Sequence, residues 1–171
     1  MVFNVILLIV LAICVITDLK SRLIYNKVIF PALLLSILLH IFFDGLSGLG
    51  FSLLGFLVGF SILLIPYFLG GMGAGDVKLL ALIGAAKGPM FVLHTSIYMA
   101  LIGGVLALFI LIFSGGAFKR FKYYVYCLFV RKNGVYVPFA LTKESMKKTY
   151  PYGVAIAGGA VISLIGKAWI L

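Results

Sequence analysis

Long apolar runs, separated by short polar or basic stretches, fill most of this chain. An apolar run of about 20 residues is long enough to cross a bilayer as an α-helix. The pattern predicts six membrane helices, at about residues 2–17, 28–43, 49–69, 76–87, 89–113 and 151–171. The expected fold class is therefore all-α, a polytopic membrane protein.

The fourth apolar run, which begins near Asp76, is shorter than the others. It holds only about 12 residues, whereas a full crossing needs roughly 20. If this helix reaches the far side of the membrane, its first residues must lie below the membrane surface. We therefore expect Asp76 to lie in a cavity inside the protein.

The composition excludes an ordinary soluble domain. Of the 171 residues, 64% are hydrophobic and only 11% are charged, whereas charged residues make up about a quarter of a typical soluble domain. The helices leave almost no sequence for a second domain, so we interpret residues 1–171 as one membrane domain. The first run has no basic residue before it and no clear cleavage site, so we interpret it as a retained helix rather than a signal peptide.

The net charge of +10 first suggests a nucleic-acid partner, but the positions of the basic residues argue against one. Eight of the fourteen lie between Lys119 and Lys148, and three more lie between Lys20 and Lys27. Basic loops between apolar helices face the cytoplasm, and anionic lipid is their expected partner. The loops contain no recognisable nucleic-acid module. We therefore expect no nucleic-acid partner, and we expect both termini to face outward.

The long basic cytoplasmic loop, residues 114–150, mixes basic and aromatic residues at positions 118–126. This mixture is typical of an amphipathic helix that lies on the bilayer surface. RNA stacking on the aromatic rings is the less favoured alternative, because belts of Tyr and Phe are expected at membrane interfaces. Farther along the loop, Asn133-Gly134 is a turn signal that predicts a small hairpin.

Acidic residues are rare, with only four in the chain. Asp18 ends the first apolar run, and Asp76 lies within residues 73–78 (GAGDVK). A carboxylate at a membrane boundary is costly, which makes it a candidate functional residue. The predicted orientation puts both aspartates on the cytoplasmic side at a similar depth. Together they could form an aspartyl dyad that hydrolyses peptide bonds; the alternative is that they are boundary acids without a catalytic role.

An aspartyl dyad needs one charged and one neutral carboxyl group. Two nearby like charges force one pKa upward, so that the pair shares a proton. Asp76 lies at a predicted helix N-terminus, where the helix dipole favours the anion, and Asp18 lies at a helix C-terminus, where it does not. Our hypothesis is that Asp76 is the ionised base and Asp18 the protonated acid.

Three neighbours of Asp76 are candidate supporting residues. Gly73 and Gly75 allow a positive φ and a close approach of the backbone to a substrate strand, although a plain tight turn would use them as well. Lys78 either strengthens the bias toward an ionised Asp76 or extends to the membrane surface as many boundary lysines do. Asn26 is expected to cap the second helix.

The sequence indicates neither a metal site nor a cofactor. Cys14 and Cys127 are far apart, which argues against zinc and against a structural disulfide, and Cys14 is expected to behave as a small buried hydrophobe. His40 and His94 are isolated within apolar runs, and we interpret them as core or interfacial histidines.

Three motifs resemble those of the type IV prepilin peptidases, which are bacterial membrane aspartic peptidases. Residues 73–78 look like the G-x-G-D-x-K motif of that family. Residues 18–26 (DLKSRLIYN) look like its first-aspartate segment, with Tyr25 in place of the usual proline, and residues 151–157 (PYGVAIA) look like a segment of its last helix. The three motifs occur in order along nearly the whole chain. The resemblance implies that Asp18 and Asp76 are the catalytic pair.

The resemblance also implies a substrate. Longer members of the family carry an N-terminal soluble portion with paired C-x-x-C motifs, linked to N-methylation of the pilin, which this sequence lacks. It resembles the short form that serves Flp, or tight-adherence, pili. The implied substrate is a prepilin whose short basic leader is removed after a glycine at the cytoplasmic face of the bacterial inner membrane. The lysine-rich loop is poorly suited to a basic leader, so we expect it to contact lipid.

Two other interpretations stay open on the residues alone. Asp18 and Asp76 could be the ion or proton sites of a small membrane transporter, or the chain could be a structural subunit of a pilus or secretion machine. A transporter of this size would usually need inverted repeats or oligomers, and the sequence shows no internal repeat.

Overall fold

The structure, a computed structural model, describes residues 2–113 and 152–170, and within these ranges the chain is helical with no strand. The helices are α1 (Val2–Ser21), α2 (Asn26–Phe68), α3 (Ala74–Lys87), α4 (Pro89–Phe113) and α5 (Tyr152–Ile170). The predicted all-α class is confirmed for this part of the chain. The predicted basic loop, its amphipathic segment and its Asn133-Gly134 turn lie outside the described residues.

Three of the described helices are long and apolar enough to cross a membrane. They are Phe3–Ser21 in α1, Asn26–Phe68, which is all of α2, and Pro89–Phe109 in α4. The described apolar part of α5, Tyr152–Gly166, is shorter than a full crossing, and α3 has only 14 residues. A membrane protein is therefore supported, while the number of six crossings stays a prediction.

Helix α2 combines two helices that the sequence predicts separately. Its helical geometry is interrupted only at Gly45, which has φ 62° and ψ −140°, a conformation that glycine adopts far more readily than other residues. A Cβ atom at Gly48 would collide with the carbonyl oxygen of His40, whereas residues eight apart in a straight helix are separated by about 12 Å. The chain thus bends sharply at one glycine, where the sequence predicts a five-residue turn at 44–48.

Helix α3 lies at the centre of the described bundle. Ten of its 14 residues are buried, including every residue from Leu79 to Ala86. A helix that is apolar on all sides is typically enclosed by other helices. This enclosure accounts for a short apolar helix in a membrane protein, because α3 contacts protein on all sides and need not match the bilayer thickness.

The two arms of α2, residues 26–44 and 46–68, both pack on α3. At the crossing with the second arm, a Cβ atom on Gly55 or Gly84 would collide with the carbonyl oxygen of the other glycine. Next to this crossing, Ser52 Oγ donates a hydrogen bond of 2.9 Å to the carbonyl oxygen of Ala85. Small residues at such crossings let helix backbones approach closely, and this approach fixes the depth of α3 in the bundle.

Helix α1 presents one face to this core. Leu7, Leu11, Cys14 and Asp18 are all nearly fully buried, and their spacing of three or four residues puts them on one side of a helix. Burial of Cys14 agrees with its interpretation as a small hydrophobe. Helix α1 contacts α3, and the charge of Asp18 acts on Asp76, so the end of α1 lies near the motif at residues 73–78.

Helix α5 packs on α4 and on the end of α1. Thr95 Oγ1 donates to Ser163 Oγ at 3.3 Å, and the backbone of Gly159 lies against that of Thr95 and Met99. These contacts lie within a compact unit whose described residues are 2–102 and 152–170. Residues 103–113 belong to a second unit, and the site described next lies wholly within the first.

Candidate active site

Asp18 lies in the last turn of α1 rather than in the loop that follows it. The sequence predicts that the first helix ends at Thr17, but the helix continues to Ser21 and closes where Arg22 takes a positive φ of 52°. The Asp18 side chain is buried, with 6% of the residue exposed. Its Oδ2 accepts a 2.9 Å hydrogen bond from the backbone N–H of Gly153, the second residue of α5.

Asp76 is the third residue of α3 and is held by the backbone that precedes the helix. Its Oδ2 accepts a 3.1 Å hydrogen bond from the N–H of Gly73, and its own N–H donates to the carbonyl oxygen of Gly73 at 3.1 Å. This reciprocal arrangement is the acidic half of a capping box, which satisfies N–H groups that a helix start leaves unpaired. Asp76 is 8% exposed.

The structure brings the two aspartates to the same end of the bundle, where their carboxyl groups interact electrostatically. The chain segments that carry the two aspartates also meet. A Cβ atom on Gly75, next to Asp76, would lie 2.9 Å from the Cβ atom of Ile24, in the loop that follows the Asp18 helix. Two buried carboxyl groups in one neighbourhood are unfavourable for folding, and such arrangements cluster at functional sites. The pair is therefore the strongest candidate site within the described residues.

Burial raises the pKa of the Asp76 carboxyl from its ordinary 3.8 to about 6. The hydrogen bond from Gly73 acts in the opposite direction by stabilising the anion, and the nearby charge of Asp18 raises the pKa further. Asp76 belongs to α3, which is not among the membrane-length helices. A carboxyl group that titrates near neutrality is suited to exchange protons with a substrate.

The raised pKa predicts that Asp76 destabilises the fold at neutral pH. From about pH 4 to 6 the folded protein keeps a proton that the unfolded chain has released, so stability falls as pH rises through this window. The full loss is about 3 kcal/mol above pH 6. Asp76→Asn keeps an acceptor for Gly73 and has no charge, so in detergent it should raise the melting temperature at about pH 7.5 and hardly change it near pH 4. An equal effect at both pH values would contradict this explanation.

The predicted division of roles between the aspartates loses its basis in helix dipoles. Asp18 lies at the C-terminal end of α1, as expected, but its carboxyl group also accepts a hydrogen bond from the first turn of α5. The N-terminus of a helix favours an anion. Both aspartates therefore lie beside a helix N-terminus, and the assignment of Asp76 as base and Asp18 as acid stays a prediction.

Lys78 and Asn26 contact each other, which the sequence does not predict, and the expected roles of Lys78 stay predictions. Lys78 Nζ donates a 2.9 Å hydrogen bond to Asn26 Oδ1 and lies 5.5 Å from the ring centroid of Phe30. The predicted capping role of Asn26 is wrong, because the N-cap of α2 is Tyr25, which makes no capping bond with its side chain. The hydrogen bond between Lys78 and Asn26 instead joins the start of α2 to the first turns of α3, which carry Asp76.

Gly73 and Gly75 are needed for a different reason than positive φ. Gly73 has φ −81°, and neither residue is among the described residues with positive φ, so that prediction is wrong. Gly75 admits the close approach of Ile24, while Gly73 supplies the N–H that holds Asp76. The close approach that the sequence predicts is therefore made to the protein's own α1–α2 loop.

Gly153 is the site residue that the reasoning from sequence missed. The segment 151–157 carries part of the family resemblance, but no role is predicted for any residue in it. The only signal available was its place in that motif, because the contact with Asp18 joins residues 135 positions apart. Within residues 2–113 and 152–170, no three His, Cys, Asp or Glu side chains come together as a metal site would need.

Fold and site together are those of a helical membrane protein with a buried pair of carboxyl groups at one end of its bundle. Comparison with protein families matches residues 5–108, more than half of the chain, to the type IV leader peptidase family. The chain therefore belongs to that family, as its motifs predict, and it is a peptidase of the class that acts on prepilins. Neither the curated proteins nor the solved structures yield a match. The matched range contains Asp18 and Asp76, whereas α5 lies beyond it.

Proposed function

We propose that the protein is an aspartic endopeptidase that removes the short basic leader from Flp-type prepilins, with Asp18 and Asp76 as its catalytic pair. One observation carries this proposal. In a chain with four acidic residues, the two within the family motifs are both buried, and their carboxyl groups interact at one end of the bundle. Each of them accepts a backbone N–H from a glycine.

Paired carboxyl groups hydrolyse a peptide bond by moving two protons. The ionised group removes a proton from water, which attacks the carbonyl carbon, while the neutral group donates its proton to the carbonyl oxygen. When the tetrahedral intermediate collapses and the C–N bond breaks, the first group passes the proton from water to the leaving nitrogen, and the hydroxyl of the intermediate returns its proton to the second group. In our assignment Asp76 is the base and Asp18 the acid. The glycine N–H groups use Oδ2 of each aspartate, which leaves each Oδ1 for this exchange.

The charges around the pair support a site at the cytoplasmic face. Lys20, Arg22 and Lys27 are all exposed and lie within about ten residues of Asp18 along the α1–α2 connection. Arg22 also interacts electrostatically with Asp18. At the other end of the first α2 arm lies Asp44, which is exposed. Basic residues mark the cytoplasmic side of membrane helices, so we place the site there, in the bacterial inner membrane and beside anionic lipid.

The other two interpretations now have less support. Membership of a peptidase family favours hydrolysis over ion transport and over a purely structural subunit. The buried position of both carboxyl groups fits either chemistry, since ion and proton sites in membranes are also carboxylates. Cleavage of a precursor is the observation that separates them.

The test is processing of an Flp-type prepilin co-expressed with this protein in a bacterial host that lacks its own prepilin peptidase. We expect a shift to the mature size on a gel, and mass spectrometry should show an N-terminus directly after the last glycine of the leader. The control is the same precursor with that glycine replaced, which should stay uncut. If the intact precursor persists beside well-expressed protein, the proposed function is wrong.

A further inference from the structure

Gly153 brings helix α5 into contact with the candidate pair. Gly153 is the second residue of α5, and its N–H is one of the four that the first turn of a helix leaves unpaired. That N–H donates to Asp18 Oδ2 at 2.9 Å, in a buried position. Asp76 is held in the same way by Gly73 at 3.1 Å. Each aspartate therefore has one oxygen fixed by a glycine N–H from a different segment of the chain.

Gly153 has no room for a side chain, and the atoms in the way belong to Asp18. A Cβ atom there would lie 2.6 Å from Oδ2, 3.1 Å from Cγ and 3.2 Å from Cβ of Asp18. The closest of these atoms is the tip of a flexible side chain and not helix backbone. An alanine at position 153 would therefore displace the Asp18 carboxyl group rather than push α5 away from the bundle.

The other glycines of α5 show that this arrangement is specific. Gly159 lies against the backbone of Thr95 and Met99, where glycine serves helix packing, and Gly158 meets the end of the Ile102 side chain. A Cβ atom on Gly166 would have no heavy atom within 4 Å. Of the described glycines in α5, Gly153 is the one whose missing side chain leaves space for a catalytic candidate.

We propose that Gly153 is a positioning residue for the catalytic Asp18. Its N–H fixes the orientation of the carboxyl group, and its lack of a side chain lets that group lie beside the first turn of α5. This inference rests on the proposed function and extends it, because it makes α5 a required part of a site whose two aspartates lie in α1 and α3. Misplacement of a catalytic group by about 1 Å lowers rates by about a hundredfold.

The experiment compares Gly153→Ala with Gly166→Ala, the matched change on the same helix. Using purified protein and an Flp-type prepilin, we expect Gly153→Ala to lower kcat about a hundredfold with KM within about twofold of wild type. Gly166→Ala should leave both constants near wild type. Equal kcat values for the two variants would overturn the inference, as would a change confined to KM.

A second readout does not depend on cleavage. The infrared carboxyl band of Asp18, assigned by its absence in Asp18→Asn, should shift in Gly153→Ala and stay in place in Gly166→Ala. An unshifted band would overturn the inference even if precursors are cut. A shifted band in a protein that cuts no prepilin would support the contact and reject the proposed function, so the two failures are distinguishable.

A third comparison applies if Gly153→Ala does not fold. Because the obstructing atoms belong to Asp18, the double variant Asp18→Ala with Gly153→Ala should melt at least as high as Gly153→Ala alone. If the double variant is also unfolded, Gly153 serves helix packing and not the position of Asp18, and the inference is wrong.

Discussion

Asp18→Asn and Asp76→Asn should each lower the rate of prepilin cleavage by at least about a thousandfold. An amide neither accepts the proton from water nor donates one to the carbonyl oxygen, so each change removes one half of the proposed chemistry. The change is nearly isosteric. Both amides keep an oxygen that can accept the N–H of Gly153 or Gly73, so the bundle should keep its fold.

The control for this prediction is Asp44→Asn, which removes the third described acid. Asp44 is exposed and contacts His40 at the bend of α2, 3.7 Å away, so its loss should leave cleavage near the wild-type rate. Single-turnover cleavage at equal amounts of folded protein is the measurement. Cleavage at a tenth of the wild-type rate or more by either Asp18→Asn or Asp76→Asn would remove that residue from the catalytic pair.

Gly55→Val and Gly84→Val should each destabilise the bundle by about 3 kcal/mol or more. At this crossing each glycine lies directly against the carbonyl oxygen of the other, and helix backbone cannot turn aside as a side chain can. A valine in either position must separate α2 from α3 and open the core around Leu80, which is fully buried. Both variants should lose folded protein on purification in detergent, as read from the monodisperse fraction in size-exclusion chromatography.

The matched control for Gly55→Val is Gly50→Val on the same arm of α2. A Cβ atom on Gly50 would have no heavy atom within 4 Å, while the intrinsic cost of valine in a helix is the same at both positions. Gly50→Val should therefore purify as wild type does. If Gly50→Val and Gly55→Val lose equal amounts of folded protein, the close crossing is not what limits stability.

Most helix bounds in this chain can be predicted from the sequence, because they follow the apolar runs and the breaks between them. The fifth predicted helix matches α4 at residues 89–113, because proline and glycine mark its start and a serine and two glycines follow its last residue in the sequence. The start of α3 lies within two residues of its predicted position. The bend of α2 is harder to predict from the sequence. Asp44-Gly45 signals a turn but does not show that helical geometry resumes one residue later.

The contacts that build the site are harder to derive, because they join distant parts of the chain. Asn26 is a residue type that often caps helices, yet its side-chain oxygen accepts a hydrogen bond from Lys78, 52 residues away. Gly75 belongs to a glycine-rich string that suggests a positive φ, yet its lack of a side chain serves to leave space for Ile24. Local propensity cannot reveal such partners, whereas the rarity of acidic residues did single out Asp18 and Asp76.

The central claim is that Asp18 and Asp76 act as one unit, and a double-mutant cycle on the cleavage rate tests it most directly. Asp18→Glu and Asp76→Glu keep both carboxyl groups but displace them, which should leave slow, measurable rates. If the two groups share a proton in one reaction, the double variant should differ by at least about tenfold from the product of the two single effects. A double variant that equals this product within about twofold would contradict the claim, because the two aspartates would then act independently.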